Sequence, residues 1–352
     1  MPLSIGVLAL PQVSQNAFAM EAVTSKDCVV STCAQILETK QLKENEIPET
    51  DFLAWFEQGY EYGRQGLYDE EVASYDKALA INPEFHDAWL FRGIALGYLG
   101  RYEEEISSYD QAIALEPNNG DTWFNRALAL ENVGRIDEAI ESYTRAGEVN
   151  PEDADAWYNR GILLGAMGRY EEEIESYDRS LAIDVTNTDA WYNRGVALGD
   201  LERLDEEIAS YDKALEYDPT NEDAWYNRGV AFGLQGEFEK EIESYDNLLA
   251  LNSQDGDAWY NRGIALSDLG QESEAIASYR ESLDVDPNRD DAYYNIAVSY
   301  MRLGDFDAAL DNLETAIELN PSNRRFASTD AEFTELQDNP RFRELVIDET
   351  LS

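Results

Sequence analysis

Asp155-Ala156-Trp157-Tyr158-Asn159-Arg160-Gly161 returns, closely copied, at a fixed step of 34 residues along the chain. The tryptophans mark the period: Trp55, Trp89, Trp123, Trp157, Trp191, Trp225 and Trp259, with Tyr293 in the eighth place. Self-similarity at such a step means stacked supersecondary units, each of which contacts only its neighbours. The 352-residue length therefore counts repeats rather than compact domains.

Outward from that stretch, each repeat reads as two helices. In residues 154–187, Trp157, Gly161 and Leu164 recur at four and three residues on a first helix, and Tyr170, Ile174, Tyr177 and Leu181 do so on a second. Gly168 separates them and supplies the backbone freedom of a tight turn. The eight repeats run 52–85, 86–119, 120–153, 154–187, 188–221, 222–255, 256–289 and 290–323. Pro83, Pro117, Pro151, Pro219, Pro287 and Pro321 are expected to end the second helix, because proline cannot continue the hydrogen-bond ladder. Val185 and Ser253 replace it in the other two repeats, where a softer boundary is expected. Gly161 and its equivalents on the first helix face small residues such as Ser180 on the second, so the two helices can approach closely. One repeat alone cannot offset the entropy of ordering its residues, and stability must come from stacking with the tryptophans buried.

The Trp, Gly, Tyr, small-residue and Pro positions, filled as in Trp157, Gly161, Tyr177, Ser180 and Pro151, resemble those of the tetratricopeptide-repeat family over residues 52–323. That resemblance implies an all-α fold, a right-handed α-solenoid of eight helix-turn-helix repeats. Beyond it, Asp330-Ala331-Glu332-Phe333, Leu336 and Asn339-Pro340-Arg341-Phe342 resemble the closing segment of many bacterial arrays. Residues 324–352 are therefore expected to form C-terminal capping helices, with Phe333, Leu336, Phe342, Leu345 and Val346 over the last repeat's apolar edge. Residues 1–51 carry no repeat. Cys33, Ile36, Leu37 and Lys40 have helical spacing within Ser31 to Lys43, which suits an N-terminal capping helix, and Pro48 separates it from the array.

Two departures from the family pattern stand out. Arginine (Arg92, Arg126, Arg160, Arg194, Arg228, Arg262) occupies the place before the glycine where the family usually has leucine. Glutamate (Glu71, Glu105, Glu173, Glu207, Glu241) occupies a second-helix place that is usually alanine. These places normally pack together, so the expectation is a charge-assisted bridge from Arg160 to Glu173, Arg194 to Glu207 and Arg228 to Glu241, fixing repeat geometry rather than binding a ligand. Arg126 and Arg262 break the rule by facing Ala139 and Ala275. Each of the five glutamates is also followed five residues later by aspartate (Asp76, Asp110, Asp178, Asp212, Asp246), whereas the alanine repeats have Thr144, Arg280 and Glu314 there. Duplication alone is enough to account for that second pattern.

Charge excludes some partners. Against 26 basic residues stand 73 acidic ones, for a net charge of −47, which repels nucleic-acid phosphates and anionic lipid. The excess reads either as a solvated surface or as an acidic groove selecting basic or neutral partners. No apolar run is long enough to span a bilayer. Leu3 to Leu10 followed by Ala17-Phe18-Ala19 resembles a secretory signal over residues 1–19 without its basic start, so export and a cytoplasmic location both stay open. Cys28 and Cys33 match no zinc-ligand spacing and leave the redox compartment open.

Catalysis is poorly supplied. His86, the one histidine, falls at a repeat boundary and reads as a loop residue rather than a base, and no phosphate loop, nucleophile motif, metal set or cofactor motif appears. The runs Glu103 to Glu105 and Glu171 to Glu173 lack the alternating ligands of a calcium loop and read as solvated or bridging faces. The resemblance instead points to the concave wall, lined by first helices. There Asn125, Asn159, Asn193, Asn227, Asn261 and Asn295 would hold a partner's peptide groups. Tyr158, Tyr192, Tyr226 and Tyr260, with Phe124 and Tyr294, would supply contact area. Asp155, Asp189, Asp223 and Asp257, with Asp87, Asp121 and Asp291, would steer the partner. Family members that grip a C-terminal carboxylate carry cations where these aspartates stand, so the partner expected is an internal, extended segment, neutral or basic; Arg302 alone would offer the wall a cation. The reading is a non-catalytic protein-binding scaffold. The alternative is a recruiting subunit of an enzyme, such as a glycosyltransferase, whose catalytic domain lies on another chain.

Overall fold

The computed structural model describes residues 47–346, so the leader, Cys28, Cys33 and the expected capping helix lie outside the described residues. All regular structure among the described residues is helical. The chain divides into two compact units at Pro83. The first holds α1 (Phe52–Arg64) and α2 (Tyr68–Ile81). The second holds seven more antiparallel pairs, an α-solenoid of helix-turn-helix repeats: α3 (His86–Tyr98) with α4 (Tyr102–Leu115), α5 (Gly120–Asn132) with α6 (Ile136–Val149), α7 (Ala154–Ala166) with α8 (Tyr170–Ile183), α9 (Thr188–Asp200) with α10 (Leu204–Tyr217), α11 (Glu222–Gln235) with α12 (Phe238–Leu251), α13 (Gly256–Asp268) with α14 (Glu272–Val285), and α15 (Asp290–Leu303) with α16 (Phe306–Leu319).

All first helices but α3 and α15 start on side-chain caps. Asn187 Oδ1 accepts from the Ala190 amide at 2.9 Å, and Asn119, Asn221 and Asp255 do the same for their helices. The turn inside a pair needs one left-handed residue. Gly168 supplies it at φ +69°, whereas Glu202 occupies the same place in the fifth repeat at φ 57°. The second helix ends at the same position whether or not proline follows. The Asp184 amide bonds to Ser180 O at 2.9 Å and the Asn252 amide to Leu248 O at 2.8 Å, as Glu116 does to Ala112 at 2.9 Å in a proline-bearing repeat. The softer boundaries expected at Val185 and Ser253 are therefore absent, because the helix has already closed before the proline position.

Tyrosines, not tryptophans, form the deepest layer. Tyr109, Tyr143, Tyr177, Tyr211, Tyr245 and Tyr279 are fully buried on the second helices, each against the small residue of its partner helix. At Gly161 an added Cβ would lie 2.5 Å from the Tyr177 ring, so that pair closes on glycine, whereas the third repeat buries Ala127 at the same place, opposite Tyr143. Trp157 is 5 % exposed, but Trp123, Trp191, Trp225 and Trp259 are only half-buried. The indole has a second task, since Nε1 donates to the backbone carbonyl six residues earlier: Trp123 to Pro117 at 2.9 Å, Trp191 to Val185 at 2.9 Å, Trp225 to Pro219 at 3.0 Å and Trp259 to Ser253 at 3.1 Å. Trp157 sinks deeper because Gly147 stands where other repeats carry leucine or isoleucine; a Cβ there would lie 2.5 Å from the indole.

After α16 come α17 (Ser322–Thr329), a short 3-10 helix (Ala331–Leu336) and α18 (Pro340–Val346). Phe333, Leu336 and Phe342 are buried with Met301, Leu313 and Ile317, and Leu345 and Val346 pack beside them. The Tyr294 hydroxyl donates to Asp330 at 2.7 Å, tying this segment to the last first helix. No helix among the described residues is long and apolar enough to cross a membrane.

Candidate functional site

Helical spacing puts residues two, five and six of each repeat at the start of the first helix, so the Asp, Tyr and Asn rows share that end. Asp155, Asp189, Asp223 and Asp257 are exposed, while Tyr158, Tyr192, Tyr226 and Tyr260 are half-buried. Each ring leans on the buried tyrosine of its own second helix, with centroids 5.9 Å apart for Tyr158 and Tyr177 and 5.7 Å for Tyr260 and Tyr279. Burial, with Asp189 and Asp155 nearby, pushes the Tyr158 hydroxyl up to about 12. It stays protonated and polar.

The asparagines divide into two sets. Asn193 Nδ2 donates to Tyr158 Oη at 3.3 Å, Asn227 to Tyr192 at 3.1 Å, Asn261 to Tyr226 at 3.0 Å and Asn295 to Tyr260 at 3.0 Å. Each bond joins the first helices of successive repeats and occupies one amide donor, so these four asparagines also set repeat spacing. Asn159 follows Phe124, which has no hydroxyl to offer.

The Arg-to-Glu bridges are not formed. Arg160, Arg194 and Arg228 each donate through Nη1 to a serine of their own second helix, Ser176, Ser210 and Ser244, at 2.5, 2.6 and 2.8 Å. Arg194 Nε then reaches Asp178 of the preceding repeat at 2.7 Å, as Arg228 reaches Asp212 at 2.7 Å and Arg262 reaches Asp246 at 2.6 Å. Arg160 meets Thr144 there instead, at 3.0 Å. The guanidinium thus staples one second helix to the next, with its own repeat's tryptophan ring 5.8 Å away for both Arg160 and Arg194. The aspartate five residues after the glutamate, which duplication seemed enough to explain, is the staple's acceptor. Where Arg280 replaces it, the next repeat has Ile296 in place of the arginine.

Glu173, Glu207 and Glu241 turn inward instead. All are buried at 7 % exposure, and a Cβ on Gly165, Gly199 or Gly233 of the facing helix would fall within 2.6 to 2.9 Å of the carboxylate. Of the glutamates at this place, Glu71 and Glu105 each accept a tyrosine hydroxyl on one oxygen, from Tyr75 at 3.1 Å and from Tyr109 at 3.2 Å, while Oε2 of Glu105, Glu173 and Glu207 has no partner. Burial pushes Glu173 and Glu207 up to about 7 and Glu241 to about 8, with Asp200 raising the first two further and Tyr177 and Tyr211 partly offsetting the rise. The third repeat exchanges helices: Glu131 takes the glycine's place, Ala139 the glutamate's, and the Tyr143 hydroxyl donates to Glu131. Glycine eight residues ahead of each glutamate was the sequence signal for this pocket.

Two further expectations change. His86 is the buried first residue of α3 rather than a loop residue, with Nδ1 3.1 Å from Asp87 and Nε2 3.4 Å from Thr122. Arg302 is engaged by Glu272 at 3.0 Å and Glu332 at 2.9 Å, so it offers no free cation.

This geometry defines a helical-repeat scaffold whose chemistry lies in periodic rows rather than a cleft. Family profiles described as Tetratricopeptide repeat match residues 56–121, 124–187, 222–255 and 290–323, and one described as TPR repeat matches 200–236 and 265–304. The chain belongs to the tetratricopeptide-repeat family. Proteins of this class generally mediate protein–protein interactions and are typically non-catalytic. Among solved structures, YrrB, titled a TPR protein with an unusual peptide-binding site, is 28 % identical over 52 % of this chain and 94 % of its own, with a TM-score of 0.48. MamA (41-end) from Desulfovibrio magneticus RS-1 is 20 % identical over 48 % of this chain and 96 % of its own, at 0.45. The Naa15/Naa10 structure bound to HypK-THB is 18 % identical over 84 % of this chain and 45 % of that one, at 0.56, which shows likeness of fold. No curated protein matches.

Proposed function

We propose that the array is a non-catalytic scaffold that holds an extended, neutral or basic protein segment along the first-helix wall. The observation that carries this reading is the Asp row: Asp155, Asp189 and Asp223 are exposed beside half-buried tyrosines and pair with no cation among the described residues. A partner's cation would be attracted there, and a free carboxylate would meet like charge. The tyrosines contribute rigid contact area, and the asparagine carbonyls, unlike their tethered amides, are available to accept from a peptide N–H.

A peptide array probed with the whole protein tests this, with hydrogen exchange reporting the face used. Internal basic and neutral peptides should bind and protect α7, α9 and α11, and changing Asp155, Asp189 and Asp223 together to asparagine should weaken them. Binding concentrated in acidic C-terminal peptides, or protection confined to second helices, overturns the reading.

A further inference from the structure

The seventh repeat ends on an arginine that lies on this wall. Arg289 stands where other repeats have the Asn or Asp cap, as Asn187 and Asn221 do, and it makes no cap bond. Its guanidinium lies 4.2 Å from the centre of the Tyr260 ring. Nη1 meets Asp257 at 2.8 Å, Nε meets Asp291 at 3.2 Å, and Nη1 also donates to Gly256 O at 3.2 Å. The seat is thus one tyrosine face between the aspartates of two successive repeats, with the tyrosine hydroxyl fixed by Asn295.

The same set recurs three times without an arginine seated in it; in the copy at Tyr226, Asp257 is already taken by Arg289, which leaves two copies with both aspartates unpaired among the described residues. Asp155, Tyr158 and Asp189 form one copy and Asp189, Tyr192 and Asp223 the next, with the hydroxyls held by Asn193 and Asn227. The next repeat's aspartate lies close enough to act on each hydroxyl, Asp189 on that of Tyr158 and Asp223 on that of Tyr192. A delocalised, weakly hydrated guanidinium gains from stacking and from two carboxylates together, whereas a compact ammonium prefers water.

We propose that these two copies are guanidinium cradles and that the partner is an extended segment bearing arginines in register with them. This rests on the scaffold reading above and narrows it. Helices in side-by-side contact lie about 8–10 Å apart, and an extended chain advances about 3.3 Å per residue, so the arginines stand about three residues apart.

The probe is a fluorescein-labelled serine-glycine peptide with two arginines three residues apart, titrated into the whole protein at near-physiological salt and followed by anisotropy. The arginine peptide should bind about tenfold tighter than its lysine twin of equal charge. It should also bind tighter than a peptide with adjacent arginines. Asp189→Asn removes the carboxylate shared by both cradles and should abolish the preference, with circular dichroism confirming the fold. Arg289→Ala frees Asp257, opens the cradle at Tyr226 as a third in register with the other two, and should raise affinity for a three-arginine peptide. Equal binding of arginine and lysine peptides, or a preference that survives Asp189→Asn, overturns the proposal. If lysine peptides bind equally well and protect the first helices, the cradles fail while the scaffold reading stands; if no peptide protects those helices, both fail.

Discussion

Arg194 and Asp178, sixteen residues apart and in different repeats, meet at 2.7 Å, with the arginine 16 % and the aspartate 53 % exposed. The asymmetry decides where the energy lies. Asp178→Asn should cost under about 1 kcal/mol, as exposed pairs do. Arg194→Ala also removes the Ser210 bond and the contact with Trp191, and should cost about 1–3 kcal/mol in chemical unfolding.

Thr144 leaves Arg160 as the staple without its aspartate. Thr144→Asp should therefore stabilise the protein by about 0.5–1 kcal/mol. Thermal unfolding of the single variant and of Thr144→Asp with Arg160→Ala separates the pair from a change in helix propensity; an equal gain in both backgrounds would refute the pairing.

Gly165 holds space for Glu173. Gly165→Ala should destabilise by about 1–3 kcal/mol, through a Cβ placed 2.6 Å from Oε1. Adding Glu173→Ala should recover most of that loss, and a non-additive double-mutant cycle is the measurement that shows it.

The buried glutamates make stability depend on pH in a defined direction. Glu173 and Glu207 bind protons up to about 7 when folded, above their ordinary value of 4.5, so the folded chain holds more protons than the unfolded one between those limits. Stability should therefore fall as pH rises from about 5 to 8. Relief of the overall negative charge acts in the same sense, so Glu173→Gln is the control. The variant should show a shallower slope of Tm against pH, and an unchanged slope would place the effect elsewhere.

Glu202 takes a left-handed turn that glycine fills in its neighbours. Glu202→Gly should stabilise by about 1 kcal/mol, a gain read from denaturant midpoints.

The helical pairs and their family were legible because the 34-residue period repeats an apolar pattern that admits one fold. What the sequence hid was direction. Arg160 and Glu173 have complementary charges at places that pack in relatives, and nothing local reveals that the arginine reaches backward to Thr144 while the glutamate turns into a glycine notch. The clues were offsets between residues, Gly165 to Glu173 and Asp178 to Arg194, whose meaning depends on which helices touch. The candidate wall was legible as rows. The tethering of Asn193 to Tyr158 and the seat of Arg289 required coordinates, because both cross a repeat boundary.

Every inter-repeat bond on Arg194, Asn193 and Trp191 spans a constant offset in sequence, and the indole's acceptor is a backbone carbonyl that any residue supplies. An in-frame gain or loss of one whole block between α9 and α12 thus rejoins surfaces that already fit, whereas a slip of one residue breaks all three bonds together. The gene can lengthen or shorten its product by unequal recombination without inventing a new junction. The number of seats along the wall is then heritable in whole-number steps, separately from the chemistry of each seat.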